Sequence, residues 1–142
     1  HRYLGNLTTD PVTGYPTPWG RIVENMRFMA DYYLYHGLSR AEDAWPHLPY
    51  PYNTAVYSGY YDVDMVLGRG YTQPDKAGSL GHELVTLYRI TGQTDYLDAA
   101  MLIADTLARH TQPGDAAHSP LPFKVHAPSG RIGRLRNADG SE

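Results

Sequence analysis

Asp62 and Asp64 stand two apart in the run Gly59-Tyr60-Tyr61-Asp62-Val63-Asp64. Paired carboxylates can act as general acid and base, or as base and nucleophile, on a glycosidic bond, and their separation sets the stereochemistry. In an extended chain residues two apart face the same way, so both can point into one cleft. The competing reading is a pair that stabilises a turn or binds calcium, although the ligand spacing of an EF-hand is absent. Tyr50, Tyr52, Tyr57, Tyr60, Tyr61 and Tyr71 surround the pair. Flat phenol rings stack on sugar rings and their hydroxyls donate hydrogen bonds, and a tyrosine beside a charged partner can donate a proton in a lyase. Any one of them is more often a packing residue with a wet end, so the cluster says more than its members.

The same stretch continues through Gly68-Arg69-Gly70-Tyr71-Thr72-Gln73-Pro74-Asp75-Lys76 into the start of a helix. Ordering such a loop costs conformational entropy, and something it binds explains its composition better than packing does. Tyr60, Tyr61, Tyr71, Gln73, Asp75, Lys76 and His82 are the candidate substrate contacts, and Asp62 and Asp64 the candidate catalytic pair. Asp75 has the simpler role of a helix N-cap or first-turn acid, and Lys76 that of a solvated charge, against contact with a uronate carboxylate. His82-Glu83 begins a zinc-helix pattern, but Thr86 occupies the place of the second histidine. His82 is then either a substrate or acid/base group, or a helix histidine with a hydrogen-bond partner. His110, His118 and His126 are spaced too widely for a metal cluster and read as loop residues. With no cysteine in the chain, thiolate metal sites, disulfides and a cysteine nucleophile are excluded. The chemistry so assembled calls for no cofactor and no metal.

Helices must position these groups. Residues 1–17 read as an N-terminal loop, with a turn at Asp10-Pro11-Val12-Thr13-Gly14. Thr17-Pro18 then gives an N-cap followed by proline at the first helical position. Ile22, Val23, Met26, Met29, Ala30, Tyr33 and Leu34 recur at helical spacing, and Gly37 stops the pattern, which predicts a helix over 18–37. Prolines at 46, 49, 51 and 74 and glycines at 59, 68 and 70 make 38–74 a loop-rich, substrate-side segment, with a short helical turn around Ser39 to Ala44. Residues 75–110 form a helical hairpin. One stripe carries Ala77, Leu80, Leu84, Leu87 and Tyr88; the other carries Leu97, Ala100, Met101, Ala104, Leu107 and Ala108. The four-residue connection Thr91-Gly92-Gln93-Thr94 lies between them. Residues 111–142 are loop, a short strand at Phe123-Lys124-Val125-His126, and a polar tail.

A chain of 142 residues with 42% hydrophobic content can bury one core. Twelve Lys and Arg against 15 Asp and Glu argue against a nucleic-acid partner, because phosphate binding needs a basic face. No apolar run approaches the roughly 18 residues that span a bilayer, so the expectation is a soluble protein without a membrane partner. The start at His1 and the polar end read as a processed piece or a fragment. The compartment stays open, a secreted or periplasmic one being compatible with the lack of cysteine.

Gln73-Pro74-Asp75-Lys76-Ala77-Gly78-Ser79-Leu80-Gly81, Leu84-Val85-Thr86-Leu87-Tyr88-Arg89-Ile90-Thr91-Gly92, Tyr96-Leu97-Asp98-Ala99-Ala100 and Ile103-Ala104-Asp105-Thr106-Leu107 form a recurring text of small, apolar and acidic positions. Its hairpin wording, about a quarter of the chain, resembles the six-hairpin glycosidase superfamily. Those (α/α)6 toroids stack helical hairpins around a central cleft. The resemblance implies an all-α fold, helical hairpins of an incomplete toroid with long aromatic-rich loops and little strand. It also places Tyr60, Tyr61, Asp62, Asp64 and Asp75 near substrate. A full toroid needs several hundred residues, and about four helices fit here, so the missing remainder of the toroid is an expected partner.

The function expected is therefore that of a carbohydrate-active segment, a glycoside hydrolase acting on an oligo- or polysaccharide. One alternative is a polysaccharide lyase or sugar epimerase acting on uronic acids. The other is a non-catalytic helical-repeat scaffold for protein partners, against which the proline-rich stretch 46–74 interrupts any 34-residue repeat.

Overall fold

Thr17 and Pro18 open the first helix as their order requires. Thr17 is extended (φ −65°, ψ 167°) and its Oγ1 accepts the Gly20 N–H at 3.0 Å, while Pro18 occupies a position whose N–H would have had no partner. The structure, a computed structural model, describes residues 9–10, 12–14, 17–50 and 70–133. Helix α1 spans Pro18–Tyr32 and runs on into one π-helical turn, Tyr33–Gly37. The segment ends where the sequence places it, for a packing reason. A Cβ on Gly37 would lie 2.7 Å from Tyr33 Cδ1.

Helix α2 spans Pro74–Thr91 and α3 spans Thr94–His110. Gly92 is left-handed at φ 75° and its N–H donates to the Tyr88 carbonyl at 2.7 Å, the glycine stop expected there. The link between the helices is two residues rather than four, because Thr91 and Thr94 are themselves helical. The Thr91 hydroxyl donates back to the Leu87 carbonyl at 2.8 Å and accepts the Gln93 N–H at 3.2 Å.

A short antiparallel ribbon pairs β1, Tyr71–Thr72, with β2, Val125–His126, in the register Tyr71 with His126 and Thr72 with Val125. β2 lies within the strand that the sequence predicts; β1 lies inside a stretch read as loop. Ser39 to Ala44 forms turns and bends, not a helical turn. The described residues are thus mostly helical with one two-stranded ribbon, an all-α protein at the coarse level.

Ala77, Leu84 and Leu87 of α2 meet Tyr96, Ala100 and Ile103 of α3 in the core, which Val23 and Ala30 of α1, Trp45 and Leu48 of the following loop, and Val125 of β2 complete. The buried Tyr96 ties α1 to α3 by donating its hydroxyl to Asp31 Oδ1 at 2.7 Å. Large apolar side chains are exposed on α1 and the π-helical turn after it, Ile22, Phe28, Met29, Tyr32 and Tyr35, Phe28 by 76%, interspersed with the exposed Arg21, Glu24, Asn25 and Arg27. No helix among the described residues is long and apolar enough to cross a membrane.

Candidate functional site

Tyr50 and Gly70 flank the tyrosine- and aspartate-rich stretch in the sequence, and the two are anchored by different means. Loop 38–50 is closed by the bridge of Leu38 with Pro49 and by the Tyr50 N–H donating to the Gly37 carbonyl at 2.8 Å. Its centre is the buried Ser39, whose hydroxyl donates to the Trp45 carbonyl at 2.7 Å and accepts the Leu48 N–H at 2.9 Å. A hydroxyl that serves as donor and acceptor at once satisfies two backbone groups that burial would otherwise orphan. The loop docks on the turn after β2 through Trp45 N–H to the Ala127 carbonyl at 2.9 Å, and on β1 through the Thr72 hydroxyl to the Pro49 carbonyl at 2.7 Å. The stack of Trp45 on His110, with ring centroids 3.9 Å apart, fixes it against the end of α3.

At the other end, Gly70 has φ +83°, a conformation that side chains rarely adopt, and its carbonyl accepts the Ala127 N–H at 2.6 Å. The space where its Cβ would stand is taken by His126, with Nε2 2.6 Å and Cδ2 2.8 Å from that point. The His126 ring is held on its far side, Nδ1 lying 2.7 Å from Ser129 Oγ, and it tilts against the Tyr71 ring at 5.1 Å between centroids.

These pieces enclose an open polar cleft of about 530 Å³ lined by His36, Leu38, Arg40, Asp43, Tyr50, Gly70, His126 and Pro128. Asp43 Oδ2 accepts the Arg40 N–H at 2.8 Å and, more weakly, the Tyr50 hydroxyl at 3.5 Å. Burial first, and then the Asp43 carboxylate, push the Tyr50 phenol above its ordinary value, so it holds its proton. The Arg40 guanidinium lies 3.9 Å from Glu42 in a pair that is exposed on both sides and hence loosely held. The described lining of the cleft therefore offers one engaged carboxylate, one protonated phenol, two imidazoles and an exposed guanidinium, groups able to bind hydroxyls or acidic groups and to pass protons.

Of the residues that the sequence singles out, Asp62, Asp64, Tyr60, Tyr61, Tyr52 and Tyr57 lie outside the described residues. Tyr71 is buried in β1, and its hydroxyl accepts an N–H from the Arg131 guanidinium, whose Cζ sits 5.4 Å from the ring centroid. Its body packs while its neighbours Gly70 and His126 line the cleft. Gln73 is half-buried at the N-cap position of α2 without a side-chain cap bond; Asp75 and Lys76 are exposed in the first turn. His82 is exposed further along α2, beside a groove between α2 and α3 whose lining includes Gly78, Gly81, Val85 and Met101. These four do not line the polar cleft.

His110 closes α3 and His126 lies in β2, as the predicted hairpin and strand place them, so only the reading of these two histidines as loop residues is corrected. His36, Arg40 and Asp43 were not singled out by the sequence. The signal available was the turn Arg40 to Asp43, whose aspartate caps the N–H three residues back. Among the described residues no group of three or more His, Asp or Glu is placed to hold a metal ion. No protein-family model, curated protein or solved structure matches this chain.

Proposed function

We propose that the chain is a segment of a carbohydrate-active enzyme and that the polar cleft is one wall of its sugar site. The observation that carries this is the convergence of Tyr50 and Gly70, the two residues flanking the Tyr- and Asp-rich stretch, on one cleft. The cleft's volume lies in the range of about 300–1,000 Å³ usual for small-molecule sites. In this reading Asp62 and Asp64 are the acid/base pair of a glycoside hydrolase, and Tyr60 and Tyr61 supply the stacking surface.

The helical-toroid part of the reading draws support from α1. A helix that buries Val23 and Ala30 on one side exposes Ile22, Phe28, Met29 and Tyr32 elsewhere, interspersed with Arg21, Glu24, Asn25 and Arg27. Several large apolar side chains left at one surface are what a further packed element would cover. Further helical hairpins packed on that side would extend an (α/α) array.

A second reading, a lyase or epimerase, is favoured by the lining of the cleft itself. Among its described lining residues His36, His126 and Tyr50 outnumber the one carboxylate, Asp43, and imidazole and phenol are groups that move a proton to and from carbon. Glycosidic hydrolysis assayed on the protein with its flanking sequence decides between them. Asp62→Asn and Asp64→Asn should each cut turnover at least about a hundredfold for a hydrolase. Turnover intact in both variants contradicts that assignment, and loss on His126→Gln with both aspartates dispensable favours proton abstraction.

A further inference from the structure

We infer that the cleft takes a carboxylated sugar, whose carboxylate is held between the Arg40 guanidinium and Nε2–H of His126. The inference rests on the sugar-cleft reading and names the class of sugar.

The charges that line the cleft point this way. Asp43, the one carboxylate among its described lining residues, has Oδ2 already engaged by the Arg40 N–H and the Tyr50 hydroxyl. It therefore answers polar groups of the protein itself. Arg40 offers donors in the planar fork that matches a carboxylate. Its only ion-pair partner among the described residues, Glu42, is 3.9 Å away and exposed, a contact that a ligand can replace without uncovering a buried charge.

His126 is set up to donate into the cleft. The Arg131 N–H donates to Ser129 Oγ at 3.4 Å, and that hydroxyl lies 2.7 Å from His126 Nδ1. In the tautomer where the hydroxyl gives its proton to Nδ1, the ring N–H is at Nε2. That edge of the ring lies over Gly70, at the cleft, and only the missing Cβ leaves it room. Ser129 is thus a positioning residue for His126. Lys76, the residue that the sequence offered for a uronate, lies in the first turn of α2 and does not line the cleft.

The test is an NMR titration of the full chain with three probes: α-1,4-trigalacturonate, α-1,4-galactotriose and inorganic sulfate. Trigalacturonate should bind about tenfold more tightly than galactotriose, the worth of one charge-assisted hydrogen bond. Arg40→Gln, at an exposed residue, and His126→Gln should each remove most of that preference, weakening trigalacturonate binding more than galactotriose binding. Equal binding of the two trisaccharides, or a preference that survives in both variants, overturns the inference and leaves the sugar cleft standing. Sulfate binding as tightly as trigalacturonate overturns it in favour of a general anion site. If neither trisaccharide binds, the sugar-cleft reading falls with it.

Discussion

Gly70→Ala should be among the most costly single-methyl additions in this protein, and the geometry allows its cost to be worked out. At φ +83° an alanine pays about 1–2 kcal/mol for left-handed backbone. Its methyl would stand 2.6 Å from His126 Nε2 and 3.3 Å from Pro128 Cδ. The imidazole cannot simply swing away, since Nδ1 is tied to Ser129 and the backbone of His126 bonds Arg131 and Gly130, each at 2.8 Å. Overpacking of this kind costs about 1–3 kcal/mol. Alanine also narrows the unfolded ensemble, which returns about 0.4–1 kcal/mol. The net expectation is a loss of about 2–3 kcal/mol, read from urea unfolding followed by circular dichroism. In a His126→Ala background the overlap disappears, and the same substitution should cost only about 1 kcal/mol, the backbone part. A change within about 0.5 kcal/mol of the parent, or an equal cost with and without His126, would refute the packing of that ring over Gly70.

Four other substitutions probe how the cleft and the core behind it are held. Thr72→Val leaves the Pro49 carbonyl without its buried donor and should cost about 1–3 kcal/mol by the same unfolding assay, whereas an exposed threonine would give almost nothing. Trp45→Ala should cost about 3–5 kcal/mol, and His110→Ala about 0.5–1.5 kcal/mol through loss of the stacked partner. Tyr96→Phe should lose about 1 kcal/mol with the Asp31 bond, and it should also alter the alkaline limb of stability. Burial first and then Asp31 raise the Tyr96 phenol above 10.0, so the folded protein keeps a proton that the unfolded chain gives up. That contribution is complete below pH 10 and fades as pH rises through the folded value; the Phe variant should fall less steeply there. Equal slopes in urea midpoints between pH 9 and 11 would contradict it.

The helices were legible because their signals are local. Thr17-Pro18 and Gly92 are start and stop signals of one or two residues, and the apolar stripes of α2 and α3 repeat over several turns. Of the candidate site, only the tyrosine- and aspartate-rich composition of the stretch beside it was legible. Its described walls depend on contacts between distant residues: Thr72 with Pro49, Trp45 with Ala127, Gly70 with His126. No spacing in the sequence encodes these. β1 escaped notice because two residues cannot display a period of two. Gly70 read as a loop breaker, and its specific demand for a missing Cβ emerged only with its neighbour in β2 in place.

The most direct test of the sugar cleft is where a bound oligosaccharide perturbs the backbone amide spectrum of the full chain. The account expects shifts concentrated at His36, Arg40, Asp43, Tyr50, Gly70 and His126, together with the stretch that Tyr50 and Gly70 flank. Shifts confined to the α2–α3 groove around His82, or to the exposed side of α1, would contradict it.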